Sequence, residues 1–247
     1  MSEEAPARYA LYYAPRPEEG LATAASQWLG WNPEGGRARR LAFSSGLDAE
    51  RLAELTAEPR RYGFHGTLKP PMVLAEGATE SEFLAAVGRF AASQRPLTVS
   101  SLLLAEISNF LALVPGSRQT DLQELADRCV VEFDEFRRPA DEGELARRRA
   151  GGLTPRQEEL LKRWGYPYVL EEWRFHLTLT GRIVDAAERA AIMAMLRQRF
   201  SGFVDRPLAV RDLCVFRQPA PDRAFTVLAR FRLGGGRLVS TEVWRAS

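Results

Sequence analysis

RYGFHGTLKPP, Arg61 to Pro71, holds one of the two histidines in a chain of 247 residues, and WRFHLTLTGR, Trp173 to Arg182, holds the other. Both sit in the same frame, Phe-His-x-Thr-Leu, 111 positions apart. Each stretch is rich in aromatic, Leu and Thr residues and is closed by Pro70-Pro71 or by Gly181, which predicts two strands. Side chains alternate along a strand. His65 and Thr67 therefore share a face with Gly63 and Lys69, while Phe64, Gly66 and Leu68 take the other. In the second copy His176, Thr178 and Thr180 share a face with Arg174, while Phe175, Leu177 and Leu179 lie opposite. Each strand thus has an apolar side to bury and a His/Thr pair to present.

The elements around the two strands recur in the same order. After the first come a helix from the capping box Thr79-x-x-Glu82 to about Ala92, a strand over LTVSSLLLAEI, a turn at Ser108-Asn109 and a strand over NFLALVP. After the second come a helix from Asp185 to about Phe200, a strand over LAVRDLCVFRQ, a turn at Pro219 to Asp222 and a strand over RAFTVLARFRL. This order predicts an internal duplication. Ahead of it lie a strand at Arg8–Pro15, a helix over EEGLATAASQWLGW and a short helix opened by Asp48. Between the copies, Thr120 to about Trp164 is charged and helical, with Thr154-Pro155-Arg156-Gln157 combining an N-cap, a first-turn proline and a capping glutamine. The expected organisation is one bilobal domain: a first lobe at about 8–118, a helical insertion at about 119–168 and a second lobe at about 169–233. The Gly-rich tail from Gly234 is expected to be a further strand or a loose end.

A composition of 45% hydrophobic and 27% charged residues is that of a globular protein with a sizeable core. A net charge of +2 gives no reason to expect wrapping of long nucleic acid. No charged-then-apolar leader and no run of apolar residues long enough to span a bilayer are present, so the expected location is the cytoplasm. Cys129 and Cys214 lie in apolar surroundings, which predicts small buried hydrophobes rather than metal ligands or nucleophiles. No metal and no cofactor are expected.

Two imidazoles and two hydroxyls suit one kind of chemistry. Histidine changes charge near neutral pH, so one can be a general base while the other is a general acid. A threonine two residues on can hydrogen-bond the oxyanion held between them. The result is a symmetric clamp for in-line displacement at phosphorus, with His65, Thr67, His176 and Thr178 as the catalytic candidates.

His65-Gly66-Thr67 and His176-Leu177-Thr178, in a duplicated layout, resemble the two signatures of the 2H phosphoesterase superfamily. RYALYYAP, RRYGFHGTLKPP, NFLALVP, EFDEFRRP, LTPRQEELLKRWGYPYV and RFHLTLTG together resemble the DUF1045 family of phosphonate-metabolism proteins. The likeness covers most of Arg8 to Leu233, and its first motif has Gly66 where alanine is expected. The resemblance implies an α+β, bilobal, pseudo-symmetric fold, with two antiparallel sheets around a central cleft, helices outside and a helical insertion. It also implies an association with the carbon–phosphorus lyase pathway, which must open phosphoribosyl 1,2-cyclic phosphate. The expected activity is a metal-independent cyclic phosphodiesterase acting on such a small phosphorylated sugar.

Further candidates follow from position. Lys69 and Arg174 share faces with the histidines and could meet phosphate; Tyr12, in phase with Ala10 and Ala14, could border the cleft. From the insertion, Arg137, Arg138, Tyr166 and Tyr168 are candidates for a lid. Arg60 and Arg61 more simply form a solvated turn, and Arg147 to Arg149 a salt-bridged surface. The alternative enzyme acts on RNA ends with 2′,3′-cyclic or 2′,5′ linkages, with Trp28, Trp31, Tyr166 and Trp173 available to stack bases. A second alternative is a binder of phosphate or an RNA end without turnover. A third, a metal site on both histidines, lacks further ligands at suitable spacing. Oligomeric state is not legible.

Overall fold

A computed structural model describes residues 5–38 and 47–235; most of the Gly-rich tail lies outside them. Among the described residues, eleven strands and eight helices follow in the order β1 (Arg8–Tyr13), α1 (Gly20–Leu29), β2 (Trp31–Asn32), β3 (Gly36–Arg37), α2 (Ala49–Leu55), α3 (Ala57–Tyr62), β4 (Gly66–Val73), α4 (Glu80–Ser93), β5 (Leu97–Val99), β6 (Leu102–Ile107), β7 (Phe110–Pro115), α5 (Thr120–Glu132), α6 (Glu142–Arg149), α7 (Pro155–Trp164), β8 (Leu177–Thr178), α8 (Ala186–Arg199), β9 (Leu208–Val210), β10 (Asp212–Gln218) and β11 (Thr226–Arg232). The fold is α+β, as expected.

The duplication is visible element by element. β4-α4-β5-β6-β7 is repeated as β8-α8-β9-β10-β11. Seven strands form one sheet in the order β11-β10-β1-β4-β8-β7-β6, with every pairing antiparallel. It consists of two blocks, β11-β10-β1-β4 and β8-β7-β6, joined between β4 and β8 at the single pair Gly66↔Leu177. The blocks do not follow the sequence halves: the first copy's hairpin β6–β7 flanks β8, and the second copy's hairpin β10–β11 reaches β4 through β1. Segments 8–118 and 169–233 are therefore interleaved in space rather than stacked as separate sheets.

Helices α1, α4 and α8 pack on one face of the sheet. The main core combines Leu11, Leu68, Leu177 and Leu179 with Trp28 of α1, Phe83 and Val87 of α4, Leu125 and Cys129 of α5, and Leu196 of α8. Strand parity sends Ala10, Tyr12 and Ala14 to the opposite face, where they meet Cys214, Phe216 and Phe225. Both cysteines are free and buried. The insertion is less peripheral than its charge suggests, since α5 supplies core residues; α7 closes a small cluster of Val130, Leu160, Trp164 and Val169. The capping boxes at Thr79/Glu82 and Thr154/Gln157 form as read, each cap contributing about 1 kcal/mol to its helix.

The single strands expected over LTVSSLLLAEI and LAVRDLCVFRQ are each split, into β5 and β6 and into β9 and β10, with β5 and β9 pairing as a separate sheet. Three expectations near the histidines also change. The stretch Ala57–Tyr62, read as loop and strand, is the helix α3. β4 does not stop at Pro70-Pro71 but runs to Val73. Its register against β1 shifts between Tyr9↔Met72 and Leu11↔Lys69, so the prolines, which have no N–H to donate, fall in the irregularity. The second histidine strand is only the two residues of β8; the Thr67 carbonyl beside it accepts from the Trp173 indole at 2.8 Å.

Candidate active site

Gly66 and Leu177 are the middle residues of the two His-x-Thr frames, and they are the residues that pair. Continued by one residue either way, an antiparallel register places His65 beside Thr178 and Thr67 beside His176. By strand parity all four side chains then project from the face opposite the main core. The two histidines stand on the diagonal, where residues lie roughly 7–8 Å apart and their Cβ atoms somewhat closer.

Gly66 makes the pairing close. Phe175 belongs to the apolar side of its own strand, and its ring lies over Gly66, where an added Cβ would collide with it. Gly66 is thus packed against the residue preceding the second histidine.

The two rings are held in the same way. His65 Nδ1 lies 2.9 Å from the Gly63 carbonyl, and His176 Nδ1 lies 2.8 Å from the Arg174 carbonyl. A carbonyl only accepts, so each Nδ1 carries a hydrogen and each neutral ring keeps its lone pair on Nε2. Gly63, at φ +73, is in the left-handed half of backbone space that glycine enters readily. His65 and His176 both line a cavity of about 470 Å3, together with Thr178, Thr180, Tyr62, Phe110, Arg148, Tyr166 and Arg182.

Their surroundings differ. Tyr12 stacks on His65 with ring centres 3.8 Å apart and planes 23° from parallel. Thr67 Oγ lies 3.2 Å from His65 Nε2. His176 instead has Phe110 at 5.7 Å, tilted by 54°, and Thr178 open to the cavity. Burial disfavours imidazolium at both sites. It lowers His65 to about 4, aided by the charge of His176, and it lowers His176 by less.

Tyr166 of the lid candidates lines this cavity, whereas Thr67, Lys69, Arg137, Arg174, Tyr12 and Tyr168 do not. Lys69 is buried and donates to the Val130 carbonyl at 2.9 Å, with Asp134 at 3.9 Å; its strand turns it under α5 rather than toward the histidines. Arg137 pairs with Asp134 at 2.7 Å and donates to the Arg163 carbonyl at 3.0 Å, so it fastens the insertion. Arg174 is exposed, and its part is its carbonyl on His176. Tyr12 is fully buried beneath His65 and supports that ring instead of bordering open space. Tyr168 is exposed, outside the cavity, with its ring edge-on to Tyr166. Of the residues proposed to stack bases, only Tyr166 lines the cavity; Trp28 is core and donates to the Leu179 carbonyl at 2.7 Å. Arg148, read as part of a salt-bridged surface, and Tyr62, to which the sequence gives no role, both lie on the cavity wall. Among the described residues, no three His, Cys, Asp or Glu side chains cluster as a metal site, and no helix is long and apolar enough to cross a membrane.

Residues 67–226 match the family described as "Protein of unknown function (DUF1045)". The ribose 1,5-bisphosphate phosphokinase PhnN of Janthinobacterium sp. (strain Marseille) is 38% identical over 238 residues, 95% of this chain and 52% of that protein. The protein of the same name from Laribacter hongkongensis (strain HLHK9) is 34% identical over 239 residues, 95% of this chain and 54% of that protein. The chain thus spans about half the length of these curated relatives. Among solved structures, E. coli LigT complexed with 3′-AMP has a TM-score of 0.45 at 16% identity, over 94% of this chain and 100% of that one. TT0787 of Thermus thermophilus has a TM-score of 0.42 at 17% identity, over 93% and 100%.

Proposed function

We propose a function for this chain, which belongs to the DUF1045 family: it is a metal-independent cyclic phosphodiesterase that opens the cyclic phosphate of a phosphorylated ribose. The observation that carries this is the pair of Nε2 atoms, each fixed by its Nδ1–H on a backbone carbonyl, on two rings that line one cavity. His65, the ring whose charged form is more strongly disfavoured, stays neutral and serves as general base; His176 carries the shared proton and serves as general acid.

In this mechanism His65 Nε2 takes a proton from water as its oxygen attacks phosphorus. The bond from phosphorus to the ring oxygen on the far side breaks, and His176 gives that oxygen its proton. One water and one cyclic diester become one phosphomonoester and one free hydroxyl. The Thr178 hydroxyl, on the cavity wall, donates to a non-bridging oxygen as charge builds there.

The sugar comes from the relatives' name, ribose 1,5-bisphosphate phosphokinase, and from the family's phosphonate association. Phosphoribosyl 1,2-cyclic phosphate is the lead substrate. A panel decides: ribosyl 1,2-cyclic phosphates against nucleoside 2′,3′-cyclic phosphates, each with and without chelator. The expected result is chelator-resistant turnover of the ribosyl compounds at the higher kcat/KM. Preference for the nucleosides moves the assignment to RNA ends. Binding without turnover by any of them ends the catalytic assignment.

A further inference from the structure

The histidine clamp accounts for one phosphorus centre, and the cavity holds more than that. Two cations line it beyond the clamp, Arg148 and Arg182. Arg182 is exposed at the rim and follows Gly181, whose Cβ position would lie 3.8 Å from the Glu58 carboxylate. Arg148 is placed differently. It comes from the last turn of α6, in a run of three arginines. Its neighbour Arg149 is committed to Glu158 at 2.8 Å. Arg148 has only a loose carboxylate contact, Glu144 at 3.7 Å, and its guanidinium lies over the Tyr166 ring at 4.6 Å. Tyr166, the ring it covers, lines the same cavity as His65 and His176.

A planar guanidinium held on an aromatic face has lost much of its freedom before a ligand arrives, and its fork matches the oxygens of a phosphate. We propose that Arg148 selects the substrate by binding a second anionic group on it, a terminal phosphomonoester separate from the cyclic phosphate. This rests on the cyclic phosphodiesterase reading above. It assigns the chemistry to the sheet and the choice of sugar to the insertion.

The test is a ratio: kcat/KM for a ribose cyclic phosphate bearing a terminal phosphomonoester, divided by kcat/KM for the same compound without it. Arg148→Gln is expected to lower that ratio on the order of 100-fold, and Arg148→Lys, which keeps the charge but not the fork, by about tenfold. A ratio in Arg148→Gln within about threefold of the wild type overturns the proposal. A second arm needs no turnover, so the loss of the enzymatic reading is told apart from the loss of this one. Ribose 5-phosphate, which has the monoester and no cyclic phosphate, is titrated calorimetrically into the wild type and Arg148→Gln, with melting curves confirming that the variant is folded. Binding weakened on the order of 100-fold by the substitution supports the proposal. Equal affinity, or no binding to the wild type, overturns it.

Discussion

His65 and His176 rest their Nδ1 hydrogens on the carbonyl two residues back, at 2.9 and 2.8 Å, yet one ring lies flat on Tyr12 and the other meets the tilted ring of Phe110. Thr67 is occupied with the first imidazole, whereas Thr178 faces the cavity. The same five-residue frame therefore yields two different half-sites. What separates them is the element next door: β1 lies along β4 and supplies Tyr12, while β8 is flanked by β7. A duplicated motif sets where the groups project. Its neighbours set which proton each prefers to hold.

Removing either ring tests that division most strongly. His65→Gln and His176→Gln are each expected to lower kcat/KM by about 10²–10⁴. The wild-type profile of kcat/KM should be bell-shaped and centred on the acid side of neutrality, rising near His65's value of about 4 and falling above the lowered value of His176. Residual activity of His65→Gln should lack the rising limb and that of His176→Gln the falling one. Interchanged limbs reverse the assignment of base and acid.

The hydroxyls come next. Thr178→Val should cost roughly 10- to 1000-fold in kcat, as lost oxyanion donors do, and Thr67→Val less than about tenfold. Equal losses would mean that the two halves share the oxyanion. Gly66→Ala forces the Phe175 ring aside, and overpacking of this kind costs about 1–3 kcal/mol, read as a lower melting temperature.

The smallest effects are on titration. His65 is lowered from an ordinary 6.5 to about 4, so the unfolded chain binds its proton first as the pH drops. The stability this group contributes is complete above about 6.5 and is lost as the pH falls toward 4. Melting curves across that window should drop less in His65→Gln than in the wild type. Tyr12→Leu opens the ring's covered face and should move the rising limb of activity to higher pH, while Tyr12→Phe should leave it in place.

Much of this was legible in the sequence for identifiable reasons. Parity along two short strands put His65, Thr67, His176 and Thr178 on presenting faces, and the repeated element order matched β4 through β7 with β8 through β11. Capping boxes announced α4 and α7. Parity also misled, because it says which face a residue takes and not what covers that face. Lys69 was in phase with His65, yet α5 crosses over it and accepts its ammonium on Val130. Arg148 looked like one of three surface arginines; only the fold of the insertion separates it from Arg149. The interleaving of the hairpins left no trace in element order, since either arrangement has the same sequence of strands.

The narrow seam between the two strand blocks has a mechanical consequence. If one block rocks against the other, the line through Gly66 and Leu177 is the natural pivot, and points near a pivot travel least. His65, Thr67, His176 and Thr178 flank that pair directly in sequence. Such a swing would change the spacing of the two imidazoles very little.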